Sequence, residues 1–417
     1  MSLLSEIEAL LGDDDLGVRR EAIYLLYLKA GAAKTELLRQ FLNHADPRLQ
    51  TAVVACLAEH QLPEAHDLLD EDRLETFLVR TDGDAETGRL ETAKLLGVLA
   101  GEHFGVFLAQ LLADESPVVV REAIASAGRR RDANFIPALI DKLADRRFRG
   151  AAKPALAAYG AEILPRLQTL LLDPATPDVI RRNVPSVIHR IIHQQSVDLL
   201  IVAAGQVPDH QKFAIVRALN KLRQASPRLR FPPAAIADLV VAEARRALLL
   251  VEAGMILSRE TTDAVDRLCL RAVNERRRDA LELVFRLLGL LYPSQDIYGA
   301  YLRISSDRRE HQINAVEYLS NRLTGAVRGH VLPLIEGHTP AAILELAAPV
   351  YRRQMMTPVD AHRLMLGSAD YWLKACGLYA ARRVPFADLR AHLRDAAFDN
   401  SAIVRETALA VAAELGY

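Results

Sequence analysis

The sequence predicts an all-α fold, an α-α superhelix of about twelve stacked helical pairs, on three observations. A motif near the amino end returns at the carboxyl end with the same internal spacing. Degenerate copies of it fill the chain between at steps of about thirty residues. Between these turns apolar residues recur three and four apart, the period of a helix rather than the alternation of a strand.

The motif is carried by Asp13, Asp15, Val18, Arg19 and Ala22 at one end and by Asp399, Ser401, Val404, Arg405 and Ala408 at the other. Equivalent turns at Asp15, Asp46, Asp84, Ser116, Asp145, Thr176 and Asp209 follow one another at steps of 29 to 38 residues. The beat returns at Asp307, His338, Ala369 and Ser401, at steps of 31 or 32. Asp46-Pro47, Ser116-Pro117 and Thr176-Pro177 have the chemistry of a helix start: a side-chain oxygen caps free amides, and proline gives up an amide that had no partner. The second helix then shows its apolar stripe, as in Ile23, Leu26, Tyr27 and Ala30, or Ile215, Ala218, Leu219 and Leu222. One such hairpin cannot bury its apolar face alone, so neighbours must stack and share a continuous core. Arg19, Arg121, Arg181 and Arg405, at a fixed place in the repeat, are expected to tie adjacent repeats to turn aspartates rather than to hold a ligand.

Between Asp209 and Asp307 the turn signals fail. Phe231, Pro232 and Pro233 open one long helical pattern that runs to about Leu257. Thr261, Thr262 and Asp263 cap another that continues to Leu291, with a candidate break at Arg276 to Arg278. The organisation expected is a repeat array over 1–226, an irregular longer hairpin over 227–300, and a second array over 301–417.

Composition supports a packed protein: 51% of residues are hydrophobic and 25% charged, which does not suit a disordered chain. The longest apolar blocks, such as Ala247 to Ile256, are interrupted by Glu252 and cannot supply a membrane span. Glu6 lies where a signal peptide would carry positive charge, so a cytoplasmic location is expected. Cys56, Cys269 and Cys376 are far apart in apolar patterns and read as buried thiols rather than as disulfides or metal ligands.

Little points to catalysis. His189 and His193 lie four apart, but no third ligand and no zincin-type glutamate accompanies them. Phosphate-binding glycine loops and a Gly-x-Ser-x-Gly elbow do not occur in the sequence. No enzymatic activity, cofactor or metal is therefore expected. The charge distribution is uneven: 19 acids and 10 bases in residues 1–100, against 34 and 42 in the remainder. Arg129 to Arg131, Arg146, Arg147, Arg149, Lys153, Arg181, Arg182, Lys212, Arg217, Lys221 and Arg223 recur through successive repeats and could follow a phosphate backbone. With aromatics at 6% and one tryptophan, Trp372, base stacking is poorly provided for.

Several segments carry a narrower likeness. Phe148 to Pro165, Asp173-Pro174, Ile180 to Pro185, Ile188 to Ile191, Arg217 to Leu222, Phe285 to Pro293 and Asn314 to Asn321 resemble the soluble HEAT-repeat (armadillo-like helical) region of bacterial ATP/ADP-translocase-like transporter fusion proteins. The likeness runs from about residue 110 to residue 335. It implies a HEAT-repeat solenoid and a cytosolic regulatory or partner-binding role, and it brings no catalytic residue with it. In that family the repeats follow a translocase-like membrane domain and often precede a cyclic-nucleotide-binding domain. Neither is present in this sequence, so an excised module or a free-standing relative is expected.

The function expected is a non-enzymatic scaffold whose concave face binds a protein or peptide partner. Two alternatives stay open: a cytosolic regulatory module of an ATP/ADP-translocase-like membrane transporter, and nucleic-acid binding through the basic repeats 129–223. The candidate recognition residues are Lys153, Arg181, Arg182, Arg217, Asn220, Lys221, Asn314 and Asn321. For each asparagine the plainer role is capping or bonding between helices.

Overall fold

The computed structural model describes residues 3–259, 263–306, 308–382 and 389–416. Among them every regular element is an α-helix or a short 3-10 turn, and successive helices alternate as hairpins through much of the chain. The expected turn at Asp307 and the caps at Thr261 and Thr262 lie outside the described residues. The chain divides into two compact units, Met1–Leu170 with Pro174–Ile191 and Leu171–Asp173 with Ile192–Tyr417.

In the first unit the second helices of six pairs form a file: α1 (Leu16–Lys29), α2 (Pro47–Glu59), α3 (Ala85–Leu96), α4 (Pro117–Arg130), α5 (Arg149–Ala157) and α6 (Val184–Ile188). Each packs on the next. The approach of α4 to α5 is close enough that a Cβ on Gly128 would lie 2.7 Å from the Ala155 Cα. Glycine is needed there for its missing side chain.

One hydrogen bond recurs at the start of these helices. The backbone N–H of the cap residue donates to the side chain two residues earlier: Asp15 to Asp13 (2.8 Å), Asp46 to His44 (3.0 Å), Asp84 to Asp82 (2.9 Å) and Ser116 to Asp114 (2.8 Å). In the second unit Asp370 donates to Ser368 (3.1 Å) and Ser401 to Asp399 (2.9 Å). This is the turn in which a short polar side chain mimics a backbone acceptor, and it explains the polar residues spaced by two in the motif. Asp15, Asp46, Ser116 and Asp370 then accept from an amide of the first helical turn.

Two of the repeat arginines bond first within their own turn, although Arg19 also helps to lower the pKa of Asp46 in the next one. Buried Arg19 donates to the carbonyls of Asp13 (2.6 Å) and Asp14 (3.0 Å), and Arg405 donates to that of Asp399 (2.7 Å). Both close their own turn. Ties between repeats come from other cations, each reaching an aspartate 25 residues on: Arg89 to Asp114 (2.7 Å) and Lys374 to Asp399 (2.8 Å). Arg130 adds a third kind of tie, donating to the carbonyls of Leu96, Leu99 and Gly101, where α3 and its turn leave acceptors without intrahelical partners.

The second unit is built around two long helices. After α7 (Gln194–Gln206) and α8 (Asp209–Ala225) come α9 (Pro233–Arg259) and α10 (Ala264–Leu291), of 27 and 28 residues. Helix α10 runs without interruption through Arg276 to Arg278, so the candidate break is absent. At about 1.5 Å per residue such a helix is about 40 Å long, enough to serve several neighbours. Helix α11 (Ser294–Ile304), α12 (Arg309–Arg322), α13 (Gly325–Glu336), α14 (Pro340–Leu346), α15 (Pro358–Leu366) and α16 (Tyr371–Ala381) follow. Helix α9 packs against α7, α13, α14 and α15, and α10 against α8, α11 and α16. Helices α7 and α8 pack on the long hairpin and belong to the second unit.

Two buried acids hold α9 in place. Glu243 accepts from Lys212 (2.5 Å) and Arg246 (2.8 Å), and Asp209 closes the ring at 2.9 Å from Lys212 and 3.3 Å from Arg246. Burial alone would lower the Lys212 pKa, but Glu243 and Asp209 outweigh it and raise the value. Glu252, wholly buried, accepts from the Tyr351 hydroxyl (3.0 Å) and from the amides of Gln354 (3.1 Å) and Met355 (3.0 Å). The acid that interrupts the apolar block in the sequence is thus the acceptor that shapes the segment 351–357. Cys56, Cys269 and Cys376 are buried, and burial pushes their thiols up to about 12, 12 and 11. No described helix is long and apolar enough to cross a membrane.

Removing the Glu252 acceptor strands three donors. Glu252→Ala is expected to cost about 2–4 kcal/mol in urea unfolding and to hasten tryptic cleavage at Arg352 and Arg353. An unchanged midpoint and cleavage rate would contradict this role.

The turn aspartates set an acid limit. Asp82 is held below the usual carboxylate range by its hydrogen bonds from Arg80, and Asp46 by the Arg48 amide. At Asp399 burial pulls upward, but Lys374, the Ser401 amide and Arg405 together outweigh it. Asp279, raised by burial, acts in the opposite sense. Where the folded pKa is depressed, stability is present above the unfolded value of about 3.9 and is lost as pH falls through the folded value. Thermal melting is expected to hold steady down to about pH 5 and to fall below about pH 4, less steeply in Asp82→Asn.

Candidate functional site

The eight residues singled out from sequence do not form one surface. Lys153, Arg181 and Arg182 lie in the first unit. Lys153 is half-buried on α5. Arg181 has only 11% of its side chain exposed and lies 3.8 Å from Asp178, and Arg182 is ion-paired with the same carboxylate. The other five lie in the second unit. Asn314 and Asn321 are exposed on α12. Arg217, Asn220 and Lys221 share α8, and there a cleft opens.

The cleft lies between α8, α10 and α11 and encloses about 270 Å3. Its base is Phe285, Gly289 and Ile297, and its wall is Tyr298 and Tyr301. Polar groups enter from α8 as Asn220 and Gln224, from α10 as Glu282 and Arg286, and from the start of α11 as Ser294 and Gln295. A polar hollow of about 380 Å3 adjoins it, shares Asn220, Gln224, Ser294 and Gln295, and adds Arg223, Pro293 and Asp296.

Several of these groups are fixed by bonds of their own. Asn220 donates to the Val216 carbonyl (2.9 Å) and across to the Arg286 carbonyl (3.0 Å), tying α8 to α10. Its carbonyl oxygen would lie 3.5 Å from a Cβ on Gly289. Arg286 lies over the Phe213 ring at 5.7 Å and donates to Glu282 at 2.8 and 2.6 Å. Asp296 accepts from the Tyr318 hydroxyl (3.1 Å). Burial, then the nearby Glu282, raises the Tyr301 hydroxyl pKa. Tyr298 is left 62% exposed, with Leu302 one turn on at 51%.

Sequence reasoning named Asn220 and its two basic neighbours but not Tyr298, Tyr301 or Glu282. The signal was present in α11: Ile297 and Ala300 supply its buried side, so Tyr298 and Leu302, four apart, are large apolar residues in excess of what that stripe needs.

The basic repeats are largely committed within the fold. Arg129 pairs with Glu122 (2.6 Å), Arg147 with Asp145 (2.8 Å) and Lys212 with Glu243, while Arg130 and Arg223 donate to helix-end carbonyls. Arg146, Arg217 and Lys221 are exposed. His193 caps α7, accepting from the Gln195 amide (3.3 Å). The described residues contain no cluster of three or more potential metal ligands.

No family model matches the chain, and no curated protein matches its sequence. Among solved structures it is similar to Kap121p, at 12% identity over 98% of this chain and 48% of that one with a TM-score of 0.36. It is also similar to Kap95p in complex with RanGDP (13%, 98% and 61%, TM-score 0.33) and to importin beta (11%, 98% and 56%, TM-score 0.32). The chain spans about half to three fifths of the length of these proteins. Superpositions this loose fix neither family nor function.

The three asparagines separate by mutation. Asn220→Ala is expected to lower unfolding stability by about 1–2 kcal/mol, because the two side-chain hydrogen bonds, one of them the link from α8 to α10, are lost. Asn314→Ala and Asn321→Ala, on exposed sites, should stay within about 0.5 kcal/mol. Equal effects at all three would remove Asn220 from its linking role.

Proposed function

We propose that this protein is a cytosolic, non-enzymatic helical-repeat scaffold that binds a protein or peptide partner, and that the cleft between α8, α10 and α11 is where it holds it. The observation that carries the reading is Tyr298. A large aromatic is held in the open, beside an apolar base of Phe285 and Ile297, on helices fixed from behind by Asn220 and by the long hairpin. Rigid aromatic side chains next to a pocket lose little entropy on binding and dominate interface energies. Glu282, the carboxylate of the cleft, is tied to Arg286 and is poorly placed to act as a base.

A phosphate track along the basic repeats fits less well, since most of those cations already serve intramolecular acceptors. Regulation of a transporter would be one instance of partner binding and needs no different site.

Selection of a displayed random peptide library against the whole protein tests the reading. Peptides should enrich on the wild type and lose most of their affinity, about tenfold or more for a hot-spot residue, on Tyr298→Ala and on Gly289→Leu, which places a side chain in the cleft. Enrichment indifferent to both variants, or single-stranded oligonucleotides binding more tightly than any peptide, would overturn it.

A further inference from the structure

We propose that the segment received by this cleft is acidic and carries one large apolar side chain. This rests on the peptide-binding reading and adds the chemistry of the partner. The size of the cleft argues for a single anchor. At about 270 Å3 it falls just below the range of about 300–1,000 Å3 typical of small-molecule pockets, and Phe285, Tyr298 and Tyr301 give it an apolar interior. The adjoining polar hollow of about 380 Å3 extends it into a trough, which suits a chain that continues past its anchor better than a compact ligand.

Charge supplies the second half. On α8, Arg217, Asn220, Lys221 and Gln224 occupy positions i, i+3, i+4 and i+7 and so share one face of the helix. Asn220 and Gln224 line the cleft, which places Arg217 and Lys221 along its edge, and both are exposed. The acids on the other sides are matched in number by cations of the lining. Glu282 is ion-paired with Arg286. Asp296, which accepts from the neutral Tyr318 hydroxyl and keeps its charge, is offset by Arg223 in the adjoining hollow, leaving Arg217 and Lys221 in excess. The uncompensated charge around the apolar base is therefore positive. Acidic residues flanking an apolar anchor would meet it, while a basic segment would be repelled.

The test uses the whole protein and three synthetic fluorescent peptides of equal length, with a central phenylalanine flanked by glutamates, glutamines or lysines, read by anisotropy. The glutamate peptide should bind roughly threefold to tenfold more tightly than the glutamine peptide, the yield of two exposed ion pairs. The margin should shrink as salt is added. Replacing its phenylalanine by serine should abolish binding. Charge reversal by Arg217→Glu with Lys221→Glu should invert the order of the peptides while leaving the unfolding midpoint in place. Equal affinity for glutamate and glutamine peptides, lost on Tyr298→Ala, would sink the acidic preference and leave the peptide cleft standing. Retained binding of the serine peptide would sink the anchor. Failure of all three peptides to bind would sink both readings.

Discussion

An amide bonded to a side chain two residues upstream begins helix after helix in both units. Chain that has just left one helix would otherwise expose free donors and drift in direction. With Asp13, His44, Asp82, Asp114, Ser368 and Asp399 accepting from the residue two on, the second helix starts at a fixed point and in a fixed orientation. Everything beyond the turn depends on that. An apolar stripe can meet its neighbour only if the helix begins in register, and Arg89 and Lys374 can reach the next aspartate only if each turn recurs at the same height. The turn aspartates therefore do double duty, as acceptors for their own loop and as anchors for the preceding repeat.

This interaction was the most legible part of the sequence, because it is local. Polar residues spaced by two, followed by Val-Arg, Pro or an apolar stripe, need no knowledge of distant contacts. The beat also misled where locality ends. Arg19 and Arg405 occupy a repeat position and so read as links between repeats, yet their guanidinium groups fold back on their own turn. Asp145, Thr176 and Asp209 keep the period but do not cap by side chain: the helices that follow them are capped at Phe148, Pro177 and Pro208. Period alone specifies spacing, not which atoms bond.

The long hairpin shows the opposite limit. Its length could be read from uninterrupted helical patterning, but its role could not. In a simple repeat array each pair touches only its neighbours. Here Glu252 reaches Tyr351 and Met355, Arg245 donates to His330 (3.0 Å), and the Cys269 thiol approaches the Cys376 carbonyl (3.5 Å), 107 residues away. Such contacts have no periodic signature. Glu252 was visible only as an acid spoiling an apolar block. A carboxylate in that position costs several kcal/mol unless its acceptor capacity is filled, so its presence implied donors somewhere without saying where.

The cleft is likewise made by helices far apart in the chain. Helices α8 and α10 end level with each other, Asn220 reaching the Arg286 carbonyl and Arg223 the Leu290 carbonyl. Gly289 lines the space beside them, where its missing side chain leaves room. Asn220, Arg217 and Lys221 could be named from sequence because they stand at helical spacing on one polar face. The aromatic wall belongs to α11, some eighty residues further on, and is brought opposite them by the turn that follows α10. A site shared by distant helices is thus half readable: each face carries its own helical signal, Arg217, Asn220 and Lys221 on α8 and Tyr298 and Leu302 on α11, but nothing in the sequence says that the two faces meet.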